Sequence, residues 1–255
     1  MNNNERIWGL PAWVLPTIAM IVLTLLWEAI VKGFSVPLYI IPAPSDIYKA
    51  SVHSSGSLLF HTLITLYETV VGFAVAIVIG VGLGVALIWS RFLRETFFPL
   101  LVVAQAVPKV AIAPVLLITL GFGEMPKIII VFLVCFFPIV VSTVAGLESA
   151  PREILDLARS MSATTVDTFR KVRFPAAMPQ IFVGLKVSVI LAVIGAIIGE
   201  FVGADRGLGF LILISMSQAE TPLAFGAIAV LGVASILLFY GVEWLERIIV
   251  PWAQD

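Results

Sequence analysis

Residues 153–179 read EILDLARSMSATTVDTFRKVRFPAAMP. The acids Glu153, Asp156 and Asp167 and the bases Arg159, Arg170, Lys171 and Arg173 fall here among apolar residues, in a chain whose charge is otherwise sparse. Ile154, Leu157, Ala158 and Met161 recur at helical spacing. Val166, Phe169 and Val172 do so again at i, i+3, i+6, so two short amphipathic helices are expected. Thr164 fits the N-cap of the second, with Asp167 three residues on as the capping-box acid. Ser162-Ala163 falls at the bend, and Pro175 and Pro179 are expected to stop the second helix before the next apolar run. Two such helices at an angle make a knob that fits a cleft on a partner. The competing arrangement is a helix lying on lipid headgroups, its basic residues toward anionic lipid.

Around this stretch the chain is almost all membrane. Sixty per cent of its 255 residues are apolar and 12% are charged, about half the roughly 25% of a soluble domain. Mean hydropathy is +1.11. Repeated apolar runs of about 20 residues suit spans of a bilayer, and six are expected: Pro11–Val31, Leu63–Trp89, Phe97–Leu120, Ile128–Leu147, Ile181–Val202 and Leu223–Leu245. The fold class is therefore all-α, a polytopic helical bundle, read as one domain over residues 1–255. The first run is a retained span: Arg6 is the only cation before it, and Trp27-Glu28 closes it without a small-residue cleavage pattern.

The formal charge of −1 and the lack of a basic tail give no sign of a nucleic-acid partner. Cys135, the sole cysteine, lies in an apolar run, so neither an intrachain disulfide nor a cysteine-based metal site is expected. His53 and His61 fall in an outer loop with no acid or cysteine at ligand spacing, and no metal site is expected there either.

The cations orient the chain. With the N-terminus inside, the cytoplasmic segments hold Arg6, Arg91, Arg94, Arg152, Arg159, Arg170, Lys171, Arg173 and Arg247, against Lys32, Lys49, Lys127 and Arg206 outside. This nine-to-four excess puts both termini and residues 153–179 in the cytoplasm. Trp8, Trp13, Trp89, Trp244 and Trp252 fall near cytoplasmic span ends, at headgroup depth.

Lys109 falls inside the third span between Pro108 and Pro114, with Gln105 one turn before it. An ionisable group at that depth needs a wet cavity or a partner, which makes Lys109 and Gln105 candidates for a pathway. Glu68 and Glu200 are the acids that could share that pathway or pair with the lysine. Gly72, Gly80, Gly82 and Gly84 in the second span and Gly195, Gly199 and Gly203 in the fifth mark close helix contacts, expected within one subunit. The chain carries no phosphate-binding G-x-x-x-x-G-K-[ST], no H-E-x-x-H and no G-x-S-x-G, so ATP hydrolysis is not expected of it.

One spacing ties these readings together. Asp156-Leu157-Ala158, three residues, Ser162, nine residues, then Val172-Arg173-Phe174-Pro175 resembles the cytoplasmic signature of bacterial ABC-importer permeases: Glu-Ala-Ala, three residues, Gly, nine residues, Ile, any residue, Leu-Pro. Pro108-Lys109-Val110-Ala111-Ile112-Ala113-Pro114 with Gly121-Phe122-Gly123, Glu200 with Gly207-Leu208-Gly209, and Pro42-Ala43-Pro44-Ser45 resemble further segments of the nitrate, sulfonate, taurine and bicarbonate branch. Ala158 and Pro175 match outright. Ser162 in place of Gly is the departure with physical weight, since a bend needing positive φ disfavours any side chain.

The resemblance implies a type I ABC-importer fold in a bacterial inner membrane, working by alternating access. It implies two ABC ATPase subunits docked on Asp156, Leu157, Ala158, Ser162, Val166, Phe169, Val172 and Pro175. ATP and Mg would be theirs, with no cofactor in this chain. It also implies an extracytoplasmic solute-binding protein meeting residues 36–58 and 204–222, with Asp205, Arg206 and Glu220 as contacts, and a second permease copy forming a homodimer. The solute would be a small anion of the branch or a small aromatic or heterocyclic compound. The alternative, an ion-gradient-driven secondary transporter, wants paired carboxylates or broken helices in matching repeats, and the sequence shows no internal repeat.

Overall fold

The computed structural model describes residues 6–7, 10–11 and 14–253; Trp8 and Trp13 lie outside the described residues. A short antiparallel bridge, β1 (Arg6–Ile7) with β2 (Leu10–Pro11), precedes the helices. They follow as α1 (Val14–Gly33), α2 (Pro44–His53), α3 (Ser55–Trp89), α4 (Arg91–Gln105), α5 (Lys109–Leu120), α6 (Glu124–Glu148), α7 (Arg152–Ser160), α8 (Thr165–Thr168), a π-turn (Phe169–Arg173), α9 (Phe174–Gly203), α10 (Leu208–Ser217) and α11 (Thr221–Ile249). Five helices are long and apolar enough to cross a membrane, and α4 with α5 makes a sixth if that bent pair is one span.

Four expectations are corrected. The third span is not one helix: α4 and α5 meet at 91°. Pro108, the N-cap of α5, has no N–H to donate and disfavours helical backbone in the residue before it. Residues 36–58 are not simply an outer loop but carry α2, and residues 204–222 carry α10. His53 ends α2 and His61 lies inside α3, so neither is a loop residue. Finally, Pro175 and Pro179 do not stop the second short helix, because the chain stays helical from Thr165 to Gly203. The π-turn just before Pro175 bonds the Phe174 amide to the Phe169 carbonyl, five residues back, and a proline at the start of the following α-helix removes only an amide that the turn leaves without an α-helical bond.

The chain forms two compact units, residues 1–59 with 211–229 and residues 60–210 with 230–255. In the first, Glu28 accepts hydrogen bonds from the Ser45 amide (3.0 Å) and hydroxyl (2.8 Å), and Trp27 packs on Phe225 at 6.3 Å. Ala43 and Thr221 are buried there, and the Thr221 hydroxyl donates to the Tyr39 carbonyl at 3.1 Å.

In the second unit α6 is the central rod. Val131, fully buried, has Gly72 of α3 on one side and Gly195 of α9 on the other. A Cβ on Gly72 would stand 2.6 Å from that of Val131, and one on Gly195 3.0 Å from its Cα, so either substitution would force the helices apart. Small residues thus set the helix spacing where lipid supplies no hydrophobic push. Cys135 and Ser188 exchange bonds across α6 and α9, thiol to carbonyl at 3.2 Å and hydroxyl to carbonyl at 3.3 Å. Gly80, Gly199 and Gly203 also meet side chains of this unit, while Gly82 faces open space.

Candidate functional site

Residues 152–175 fold as two joined pieces. In α7 the Arg159 guanidinium holds Asp156 at 2.8 Å. The helix closes in a Schellman turn: the Ala163 amide reaches the Ala158 carbonyl and the Ser162 amide the Arg159 carbonyl, both at 3.0 Å. Ser162 takes φ 57, the left-handed backbone that glycine tolerates best. Thr164 then caps α8, its hydroxyl accepting from the Asp167 amide at 3.1 Å and donating to the Asp167 carboxylate at 2.6 Å. Lys171 pairs with Asp167 at 3.0 Å.

The two apolar stripes fare differently. Ile154, Leu157 and Met161 stand exposed on α7, Leu157 at 58%, and Ala158 is half-buried. Of the second stripe Val166 is exposed, whereas Phe169 and Val172 turn inward. Phe169 packs between Trp89 (5.3 Å) and Phe174 (5.9 Å). Pro175 is half-buried at the start of α9. Trp89, Trp244 and Trp252 are exposed.

Lys109 stands just past the break in the third expected span. It opens α5 on the far side of the 91° bend, half-exposed, and donates to the Gln105 carbonyl (2.9 Å) and side-chain oxygen (2.5 Å). Gln105 and Lys109 thus meet by hydrogen bonds across the bend and not along one helix face. Among the described residues no ion pair joins Lys109 to Glu68 or Glu200.

Those acids belong to a second, buried cluster. Glu68 is fully buried and ion-paired to Lys127, itself 3% exposed in the first turn of α6. Glu200, in the last turn of α9, accepts from the Thr65 hydroxyl (2.6 Å) and the Gly209 amide (2.5 Å). Thr65 accepts from the Leu208 amide at 2.8 Å, and the Gly207 amide donates to His61 Nδ1 at 2.9 Å. The cluster thus ties the 207–209 turn to α3 and α9. Lys127, Thr65 and His61 are absent from the residues expected of the site. Two acids in apolar runs do imply a nearby cation, and that balance is the signal that points to Lys127.

The family description "Binding-protein-dependent transport system inner membrane component" matches residues 76–255, which include α7, the π-turn, Lys109 and Glu200. The chain belongs to that family. It is accordingly a multi-pass membrane protein and the permease subunit of an ABC importer. The formylaminopyrimidine transport permease protein ThiX of Halalkalibacterium halodurans is 35% identical over 94% of this chain and 96% of its own length. The riboflavin transport system permease protein RibX of Chloroflexus aurantiacus is 36% identical over 95% and 91%. The taurine transport system permease protein TauC of Escherichia coli is 26% identical over 91% and 86%. An inward-facing structure of the MetNI methionine ABC transporter superposes with a TM-score of 0.63 over 79% of this chain and 98% of that one. At 22% identity this match carries the permease fold and nothing finer.

Proposed function

We propose that residues 152–175 are the surface through which this permease takes up the stroke of its ATPase. The observation that carries this reading is the exposed apolar row Ile154, Leu157, Met161 and Val166, presented on an element whose bend is fixed by the Ser162 turn and the Thr164 cap. A solvated knob has no use for that row unless a partner covers it. Asp156, Leu157, Ala158, Ser162 and Val166 are the contact residues, while Phe169, Val172 and Pro175 hold the element to the membrane end of α3 and α9.

In this reading the chain hydrolyses no ATP, has both termini in the cytoplasm and binds no cofactor. It works as a homodimer with two ATPase subunits, which bind ATP and Mg, and with an external solute-binding protein. The pathway runs past Gln105 and Lys109 at the bend. Glu68 and Glu200 are positioning residues that secure the 207–209 turn. The relatives named for formylaminopyrimidine and riboflavin share more identity with this chain than the one named for taurine, which supports a small heterocyclic solute over a small anion. The broken span and buried carboxyl pair that a gradient-driven carrier would use occur without a matching repeat.

Ala158→Arg tests the dock. The variant is expected to reach the membrane at normal yield and to lose co-purified ATPase, because a long cation replaces a small contact residue. Wild-type levels of co-purified ATPase would refute it.

A further inference from the structure

A cavity of about 320 Å³ lies behind the coupling element, between it and the end of α3. Two guanidiniums from different elements line it, Arg159 of α7 and Arg173 of the π-turn, together with the hydroxyl-bearing Thr165 and Thr168. Arg159 spends one N–H on Asp156, and its other donors remain. Arg173 is half-buried and makes no ion pair among the described residues. No carboxylate lines the cavity. A half-buried guanidinium, Arg173, with the exposed Arg159 at the rim and hydroxyls beside them, suits the oxygens of a phosphoryl group.

The other wall is aromatic. Phe169 and Trp89 pack at a tilt of 60°, and Trp89, 55% exposed, ends a membrane-spanning helix where amphipathic rings mark headgroup depth. A phosphoryl group bound here has apolar surface at hand for whatever it is attached to.

We propose that this cavity binds a phosphate-ester anion, and that its place at the membrane boundary assigns it to the headgroup of an anionic phospholipid. The site adjoins the ATPase-facing row, since Arg159 bonds Asp156 of that face, while the pocket itself lies against the end of α3. It requires that the chain span a membrane and does not require the docking assignment.

The test is lipid retention by the purified full-length permease in detergent, measured by native mass spectrometry against phosphatidylglycerol and phosphatidylcholine of equal chain length. Wild type is expected to favour phosphatidylglycerol at least about fivefold. Arg159→Gln with Arg173→Gln should abolish the preference, and Arg206→Gln, which removes a cation between α9 and α10, far along the chain from the cavity lining, should keep it. Equal preference in wild type and the double variant overturns the proposal. Arg173→Lys retains charge without the fork and should give an intermediate loss, so the test survives if the double variant fails to fold. Glycerol 3-phosphate at millimolar concentration separates the sources. If it displaces the lipid, the phosphoryl site stands and the lipid assignment falls; no displacement supports both. Scoring ATPase co-purification in the same samples keeps failure here distinct from failure of the dock.

Discussion

Ser162 holds φ 57 at the end of α7, and Ser35 and Ala219 do the same, at 50 and 60, in the same kind of turn after α1 and α10. A side chain in left-handed backbone costs about 1–2 kcal/mol, and glycine returns about 0.5–1 of that as lost chain entropy. Ser162→Gly should therefore stabilise by about 0.5–1 kcal/mol, read as a higher midpoint of thermal unfolding in detergent with ATPase co-purification intact. A lower midpoint would mean that the serine side chain contributes more than its backbone strain. The family spacing made this position legible in advance, because it asked for glycine where the chain has serine. Lys127 was legible only as a missing cation: two acids in apolar runs ask for one, but its partner comes from α3 and only the packed unit brings Glu68 to it. Lys127→Met should cost about 3–5 kcal/mol by leaving a buried carboxylate unpaired and cut the yield. Adding Glu68→Gln should recover most of that yield; no recovery would mean that the lysine serves some other group.

At the level of elements, the apolar runs announce themselves because each span is a local fact of composition. Five of the six expected spans have a single helical counterpart, with ends moved by a few residues or, for α3 and α9, extended by a turn or more, and the third has the bent pair α4 and α5. What composition cannot decide is which proline breaks a helix. Pro99, Pro114, Pro138 and Pro179 all lie within helices, whereas Pro108 stands at the 91° break. Neighbouring helices and local adjustment absorb the freed carbonyls elsewhere. The bend converts Lys109 from a buried charge into a half-exposed one that ties α5 back to the end of α4. Its loss should thus cost only about 1 kcal/mol. Lys109→Met is expected to express and hydrolyse ATP normally in the assembled importer while uptake is lost or altered. Normal uptake would leave Lys109 as a clasp across the bend and nothing more.

For the molecule as a whole, the proposed reading makes the permease one half of a pathway, and the assembled importer should contain it twice. Purified chain alone should release no phosphate from ATP, and the complex with ATPase and binding protein should have a mass with two permease copies. A single copy in an active complex would refute the dimer. Within the chain, the 39 helical residues from Thr165 to Gly203 form one rod of about 58 Å, with the Thr164 cap at one end and the Glu200 grip on the Gly209 amide at the other. Such a shaft has a phase as well as a length. Each residue inserted or deleted along it turns one end against the other by about 100°, so a single-residue change would swing the coupling row and the Glu200 carboxylate out of step. The rod can therefore change length only in steps near whole turns, three or four residues at a time, if both ends are to keep their neighbours.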